Sequence, residues 1–324
     1  MRVLSGIQSS GKLHLGNYLG AIKQHLELQH GNECFFFIAN YHALTTVQDA
    51  ERQRQLTRDV ALDYLALGLD PAKAALFRQS DVPEVCELAW ILSTVTGRGL
   101  LERAHSYKDK VSKGIMPTMG LMCYPILMAA DILIYDSDIV PVGQDQVQHI
   151  EMTQDMAGYF NNTYKREVFK RPEPRLNEAF TVPGLDGQKM SKSYGNTIDL
   201  FDTPENTRKR VMSIKTDSTL VEAPKDPDLC NLFAIFKLMA PPEEVAEVAA
   251  AYRKGGLGYA AVKRRLAELC EARFGPARER RAGLEADPDR VEDVLGDGAR
   301  RARTVAQQVM ARVREACGLV TIRR

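Results

Sequence analysis

Arg2-Val3-Leu4-Ser5-Gly6-Ile7-Gln8-Ser9-Ser10-Gly11-Lys12-Leu13-His14-Leu15-Gly16-Asn17 decides the fold. Residues 2–6 are short, apolar and end in glycine. A polar loop follows, and then a helical apolar spacing from Leu15 to Leu28. Strand, loop, helix opens a parallel α/β unit. Such units bind nucleotides at the carboxyl end of the first strand, where a helix N-terminus offers free N–H groups to phosphate. The dinucleotide fingerprint G-x-G-x-x-G is absent. The loop G-x-x-x-x-G-K-[ST] nearly fits from Gly6 to Lys12, but Leu13 stands where a hydroxyl must hold magnesium. His14-Leu15-Gly16-Asn17 is the third candidate. Its imidazole and amide can donate to triphosphate oxygens, and Gly16 has no Cβ to keep a purine ring off the backbone.

The alternation continues downstream. Residues 33–40 form an apolar run of strand length. Residues 52–67 repeat apolar positions at Leu56, Val60, Tyr64 and Leu67 and end at Gly68 and Pro71. Residues 74–79 predict a third strand, and a helix from near Pro83 carries Trp90, expected in core or interface packing. Residues 138–143 predict a further strand, followed by Gln144-Asp145-Gln146 and a helix to about Tyr159. This pattern predicts a doubly wound parallel sheet, with polar groups at strand ends as ligand contacts; Asp145 equally suits a helix cap. In the apolar helix over 119–135, Asp131 is a costly carboxylate unless a neighbouring donor or a ligand satisfies it. Tyr124 and Met128 share its face. One apolar wall with one buried acceptor suits an aromatic ring bearing an N–H or O–H.

Lys189-Met190-Ser191-Lys192-Ser193 sits among Gly184, Gly187 and Gly195. Glycine and aspartate mark it as a turn-rich loop, and lysines on flexible stems suit gripping and releasing polyphosphate; a solvated surface loop is the alternative. Thr203-Pro204-Glu205-Asn206 then opens a helix, and no strand pattern returns. The expected division is an α/β unit over 1–193 and an all-α unit over 194–324. Arg278, Arg280, Arg281, Arg300, Arg301, Arg303, Arg312 and Arg314 suit either RNA phosphates or pairing with interspersed acids. Residues 101–113, with Arg103, Lys108, Lys110 and Lys113, read as a solvated helix.

Length and composition bound these readings. A chain of 324 residues with 44% hydrophobic content suits two domains. A net charge of +1 supplies no global field for nucleic acid. The cysteines are scattered without a metal-ligand rhythm, as reduced thiols are. The apolar stretch over 120–135 is broken by Pro125 and Asp131, which excludes a membrane span there. The opening residues predict no leader peptide, and a cytosolic location.

Together, His14-Leu15-Gly16-Asn17 and Lys189-Met190-Ser191-Lys192-Ser193 resemble the paired "HIGH" and "KMSKS" signatures of class I aminoacyl-tRNA synthetases. Ser5-Gly6-Ile7-Gln8, Gly16-Asn17-Tyr18-Leu19-Gly20-Ala21, His42-Ala43-Leu44-Thr45, Met128-Ala129-Ala130-Asp131 and Pro141-Val142-Gly143-Gln144-Asp145-Gln146 extend the resemblance along the chain to the bacterial tryptophanyl-tRNA synthetases. That resemblance implies a class I Rossmann catalytic domain, an all-α anticodon-binding domain, a homodimer, and ATP with Mg2+ bound through its phosphates. The implied partners are L-tryptophan and tRNA(Trp). It implies ATP contacts at Gln8, Ser9, Ser10, Gly16, Asn17, Gly143, Gln144, Asp145, Val182, Lys189, Met190, Ser191, Lys192 and Ser193, with Lys110 and His14 also serving catalysis. It places the indole N–H on Asp131, lines the pocket with Leu4, His42, Met128, Val140 and Val142, and sets Tyr124 and Gln146 near the amino group. Asn17 replaces the second histidine of the general signature. No dedicated protein metal site is implied. The rivals are a tyrosyl-tRNA synthetase, a non-charging adenylate- or RNA-binding paralogue, and a P-loop NTPase disfavoured by Leu13.

Overall fold

The computed structural model describes residues 1–8, 11–104, 114, 116, 118–176 and 182–319; the side chain of Asp145 also lies outside the description. Strands β1 (Arg2–Ile7), β2 (Glu33–Ile38), β3 (Ala74–Arg78), β4 (Ile139–Val142) and β5 (Glu173–Leu176) form one sheet in the order β3-β2-β1-β4-β5. Every pairing is parallel; Leu4 lies beside Phe35, and Val140 beside Pro174. The chain reverses its direction of winding between β1 and β4, the switch point where such sheets bind ligands. Strand β5 escapes the sequence pattern because Pro174 interrupts it. It lies at the sheet's edge, where a missing N–H is tolerated.

Side chains alternate across the pleat. Val3, Ile7, Phe36 and Leu76 enter one apolar cluster, whereas Leu4, Phe35, Phe37 and Phe77 enter the other. The first helical segment, α1, runs through Leu15–Asn17, a π-helical turn at Tyr18–Ile22, and Lys23–Leu28. Helices α2 (Asn40–Ala43) and α3 (Ala50–Leu67) follow β2, and α3 is capped by Asp49, which accepts from Arg52 N. Gly68 closes α3 in the left-handed region, at φ 108. Helices α4 (Glu84–Val95), α5 (Arg98–Glu102), α6 (Met119–Leu133) and α7 (Val147–Tyr164) complete the first part of the chain.

Beyond the lysine loop come α8 (Pro204–Met212), α9 (Asn231–Met239), α10 (Pro242–Lys254), α11 (Tyr259–Glu285) and α12 (Pro288–Cys317). Thr203 caps α8 by accepting from Asn206 N, as its sequence predicts. These helices share the sheet's core. Leu232, Phe236, Leu266 and Leu295 belong to the cluster of Val3 and Phe36, while Ala306 and Met310 belong to that of Leu4 and Phe35. Helix α12 lies so close to β3 that a Cβ on Gly298 would meet the Leu76 carbonyl oxygen at 2.0 Å. The segments on either side of the expected boundary at 193 and 194 therefore share both apolar clusters.

The C-terminal arginines act as fasteners of that packing. Arg278 donates to the Leu200 carbonyl, Arg280 to that of Ala66 and Arg301 to that of Pro71. Arg281 pairs with Asp59 and Asp63, Arg303 with Glu84, Arg312 with Asp136 and Arg314 with Glu87. Arg300 pairs locally with Asp297. Each of these eight side chains thus has a partner within the fold, while Arg280, Arg300, Arg303 and Arg312 also remain exposed. Trp90, at 72% exposed on α4, is not core.

Candidate functional site

Two structures meet at the carboxyl end of the sheet. The first is a cavity of about 370 Å³ whose wall includes Leu4, His42, Tyr124, Met128, Asp131, Val140, Val142 and Gln146. All eight residues expected around the amino acid thus surround one space. Tyr124, Met128 and Asp131 reach it from one face of α6, as their spacing requires. Gly6 makes room: a Cβ there would lie 2.6 Å from the Phe37 ring. Gln8 and Gly143, expected against nucleotide, also line this cavity.

Asp131 is 1% exposed. Its carboxylate accepts from Gln79 Nε2 at 2.9 Å on both oxygens, and His42 Nε2 lies 2.9 Å from Oδ2. Burial raises its pKa; the hydrogen bond and charge of His42 and the hydrogen bond of Gln79 pull it back down. Of the two alternatives open in the sequence, neighbouring donors hold this carboxylate. Three contacts leave acceptor capacity on the two oxygens for a ligand. Behind Tyr124 stands His149, whose Nε2 pairs with the phenol oxygen. His25, stacked on Phe36 and hydrogen-bonded to Tyr64 at 3.1 Å, closes another part of the wall, and burial pushes its imidazole down to about 4.

The second structure joins the two signature segments. Leu15 N donates to the Ile198 carbonyl at 2.8 Å, and Leu200 N to the Leu13 carbonyl at 3.0 Å. The chain leaving the lysine loop is therefore zipped to residues 13–15. His14 caps α1 and donates its own N–H to Asn17 Oδ1 at 3.1 Å. Burial and the Lys192 ammonium push its imidazole down to about 4, against the pull of Asp199, so the ring is neutral at neutral pH. Gly16 is needed for closeness: a Cβ there would lie 3.0 Å from the His14 ring and 3.5 Å from Met190 Cβ. A Cβ on Gly11 would lie 3.9 Å from Lys192 Nζ, so this ammonium faces the loop after β1.

Within the loop, Met190 and Val182 are buried anchors, and Met190 N donates to the Val182 carbonyl at 2.8 Å. Lys189, Lys192 and Ser193 are exposed. Ser191 and Ser193 share a hydroxyl contact of 2.8 Å. Asn196, 3% exposed, organises the turn: Oδ1 accepts from Ser191 N at 2.8 Å, while Nδ2 donates to Asp186 at 2.7 Å and to the Lys189 carbonyl at 3.2 Å. Gly184 leaves space for it, since a Cβ there would lie 2.2 Å from Asn196 Nδ2. Gln144 is exposed on the turn before α7. Ser9, Ser10, Lys110 and the Asp145 side chain lie outside the described residues.

Sequence reasoning passed over Gln79 and Asn196. Each is a lone amide in a loop, and its role depends on partners 52 and 5 to 10 residues away. Gln79 left one usable signal, its place as the last residue of the strand expected over 74–79, which the structure ends at Arg78.

Among known proteins, the model of tRNA synthetases class I (W and Y) matches residues 1–275. The chain belongs to that family of class I tRNA synthetases. The tryptophan–tRNA ligase of Rhodopirellula baltica is 55% identical over 98% of this chain and 100% of its own, and that of Fusobacterium nucleatum is 52% identical over 98% of each. A crystal structure of tryptophanyl-tRNA synthetase from Campylobacter jejuni, complexed with ADP and tryptophan, superposes with a TM-score of 0.93 at 50% identity, over 98% of this chain and 100% of that one. Within the class, the chain stands with the bacterial tryptophan–tRNA ligases.

Proposed function

We infer that the chain activates L-tryptophan with ATP and transfers it to tRNA(Trp). The cavity carries this inference: a slot of about 370 Å³ with the buried Asp131 carboxylate in an apolar wall, at the end of β1 beside Gln8. Its size and single acceptor suit an indole whose N–H donates to Asp131, with Met128, Val140 and Val142 against the ring and Tyr124 and Gln146 toward the amino group. The ligases it resembles over nearly its whole length set tryptophan ahead of tyrosine as the substrate.

In the reaction the substrate carboxylate attacks the α-phosphorus. The bond to the bridging oxygen breaks, and pyrophosphate leaves with the electron pair; a tRNA ribose hydroxyl then displaces AMP from the adenylate. No protein nucleophile is required, so catalysis is positioning plus stabilisation of charge on the departing pyrophosphate. Lys189 and Lys192 stabilise that charge in this reading, together with Lys110. Neutral His14 and the Asn17 amide orient the triphosphate. Magnesium carried on the triphosphate would supply further neutralisation of its oxygens.

Residues 194–324 are assigned to tRNA anticodon binding, on the run of helices α8 to α12 within them and the ligase family. The exposed Lys237 and Arg264, with the exposed Arg280, Arg300, Arg303 and Arg312, would offer positive charge to RNA. A homodimer is assigned because Trp90, 72% exposed, and Met119, 70% exposed, leave apolar surface open. The cytoplasm is the expected compartment. Among the described residues no helix is long and apolar enough to cross a membrane.

The deciding experiment is ATP–pyrophosphate exchange with each of the twenty amino acids. Exchange driven by tryptophan alone is expected. Equal exchange with tyrosine would favour the tyrosine enzyme, and no exchange with any amino acid would favour the non-charging paralogue.

A further inference from the structure

We propose that Gln79 is a specificity-determining positioning residue whose buried amide holds the Asp131 carboxylate as the acceptor that selects an indole N–H. The inference rests on the assignment of Asp131 to the amino acid. Gln79 occupies the turn directly after β3 and is 1% exposed. Its Nε2 donates to both Asp131 oxygens at 2.9 Å. Its Oε1 accepts from Tyr41 N at 3.0 Å and His42 N at 3.4 Å.

These four contacts fix the amide's orientation. Turned over, its oxygen would face a carboxylate and its NH₂ would face two N–H donors. One side chain therefore sets both polar elements of the cavity floor: it orients Asp131, and it ties down the first turn of α2, from which His42 reaches the same carboxylate. A carboxylate this deeply buried needs donors to remain ionised. An amide supplies them without adding charge, so the oxygens keep their preference for an incoming N–H. A ligand lacking that N–H would leave a desolvated acceptor facing it.

Three titratable groups face Asp131: His42 from α2, Cys86 from α4, and Tyr135 just after α6. Burial raises the pKa of Cys86 from its ordinary value, and raises that of Tyr135 well above its own. Neither should change charge between pH 6 and 8, and the wild-type profile controls for His42.

The test uses the full chain in pyrophosphate exchange at saturating ATP, comparing kcat/KM for tryptophan with that for its benzothiophene analogue, in which sulfur replaces the N–H. Wild type should prefer tryptophan with a ratio flat across pH 6 to 8. Gln79→Met removes the donor while keeping the shape, and should lower the ratio roughly 10- to 100-fold, with partial recovery as pH rises and Asp131 ionises. Gln79→Glu sets two carboxylates together and should recover in the opposite direction, as pH falls and a shared proton restores a donor. KM for ATP should stay unchanged in both. The opposed pH trends are what a purely structural role would not produce, and either variant alone gives a sign if the other fails to fold. If wild type does not discriminate, the assignment of Asp131 to the indole fails. If wild type discriminates and the variants keep its ratio, or lose equally on both substrates with flat profiles, the role of Gln79 alone is overturned.

Discussion

The amino-acid cavity and the lysine loop lie at the same end of the sheet and are built oppositely. The cavity is framed by strand ends and by α6, and its one carboxylate is held by Gln79 and His42. The loop exposes its lysines and hangs on two buried anchors and one amide, Asn196. Discrimination requires a site that does not adapt, because a buried acceptor penalises the wrong ligand only if nothing moves to satisfy it. Release of a charged product requires a site that opens. One scaffold carries both, with the carboxylate buried in the cavity and the lysines exposed on the loop.

Substitutions that act on one region and spare the other sharpen this contrast, and the largest effect belongs to Asp131. Asp131→Ala should collapse the preference for tryptophan over phenylalanine, by up to about 10⁴-fold, while barely changing phenylalanine use. Equal losses on both amino acids, measured as kcat/KM in exchange, would make Asp131 a structural carboxylate. Lys192→Ala should slow adenylate formation by about 10² to 10³ and leave tryptophan affinity intact. Single-turnover rates beside equilibrium tryptophan binding separate the two, and a wild-type rate would remove Lys192 from the chemistry.

Asn196→Ala should raise KM for ATP and lower kcat together by roughly 10-fold, the scale of one lost buried hydrogen-bonding group, with tryptophan binding unchanged. Weakened tryptophan binding in that variant would mean that cavity and loop are not separable. The smallest effect is on stability. His14 and His25 titrate near 4 in the fold, against about 6.5 in an unfolded chain. Below 6.5 the unfolded chain takes up protons that the fold refuses, so stability is full above that pH and is lost as pH falls toward 4. His25→Asn should reduce this slope by up to about 1.4 kcal/mol per pH unit, read from denaturant midpoints between pH 4 and 7. An unchanged slope would show that His25 is protonated in the fold.

What the sequence determined by itself is local. The opening strand-loop-helix, the parallel strands β2 to β4, the shared face of Tyr124, Met128 and Asp131, and the Thr203 cap all follow from spacing and residue type, which act over a few neighbours. The eight residues gathered around the cavity were nameable because a long resemblance supplied the assignment that spacing alone left open. Tertiary structure decided the rest. Pro174 reads as a strand breaker until β5 is seen at the edge, where its missing N–H costs nothing. Arginines 278 to 314 look alike in the sequence whether they face RNA or fasten α11 and α12 to the first half, and only packing brings Asp63, Glu84, Glu87 and Asp136 opposite them. Likewise the donors to Asp131 come from chain 52 and 89 residues away. Spacing along the chain carries no information about which distant groups a fold brings within 3 Å, because such pairings follow from how whole elements pack and not from the residues themselves.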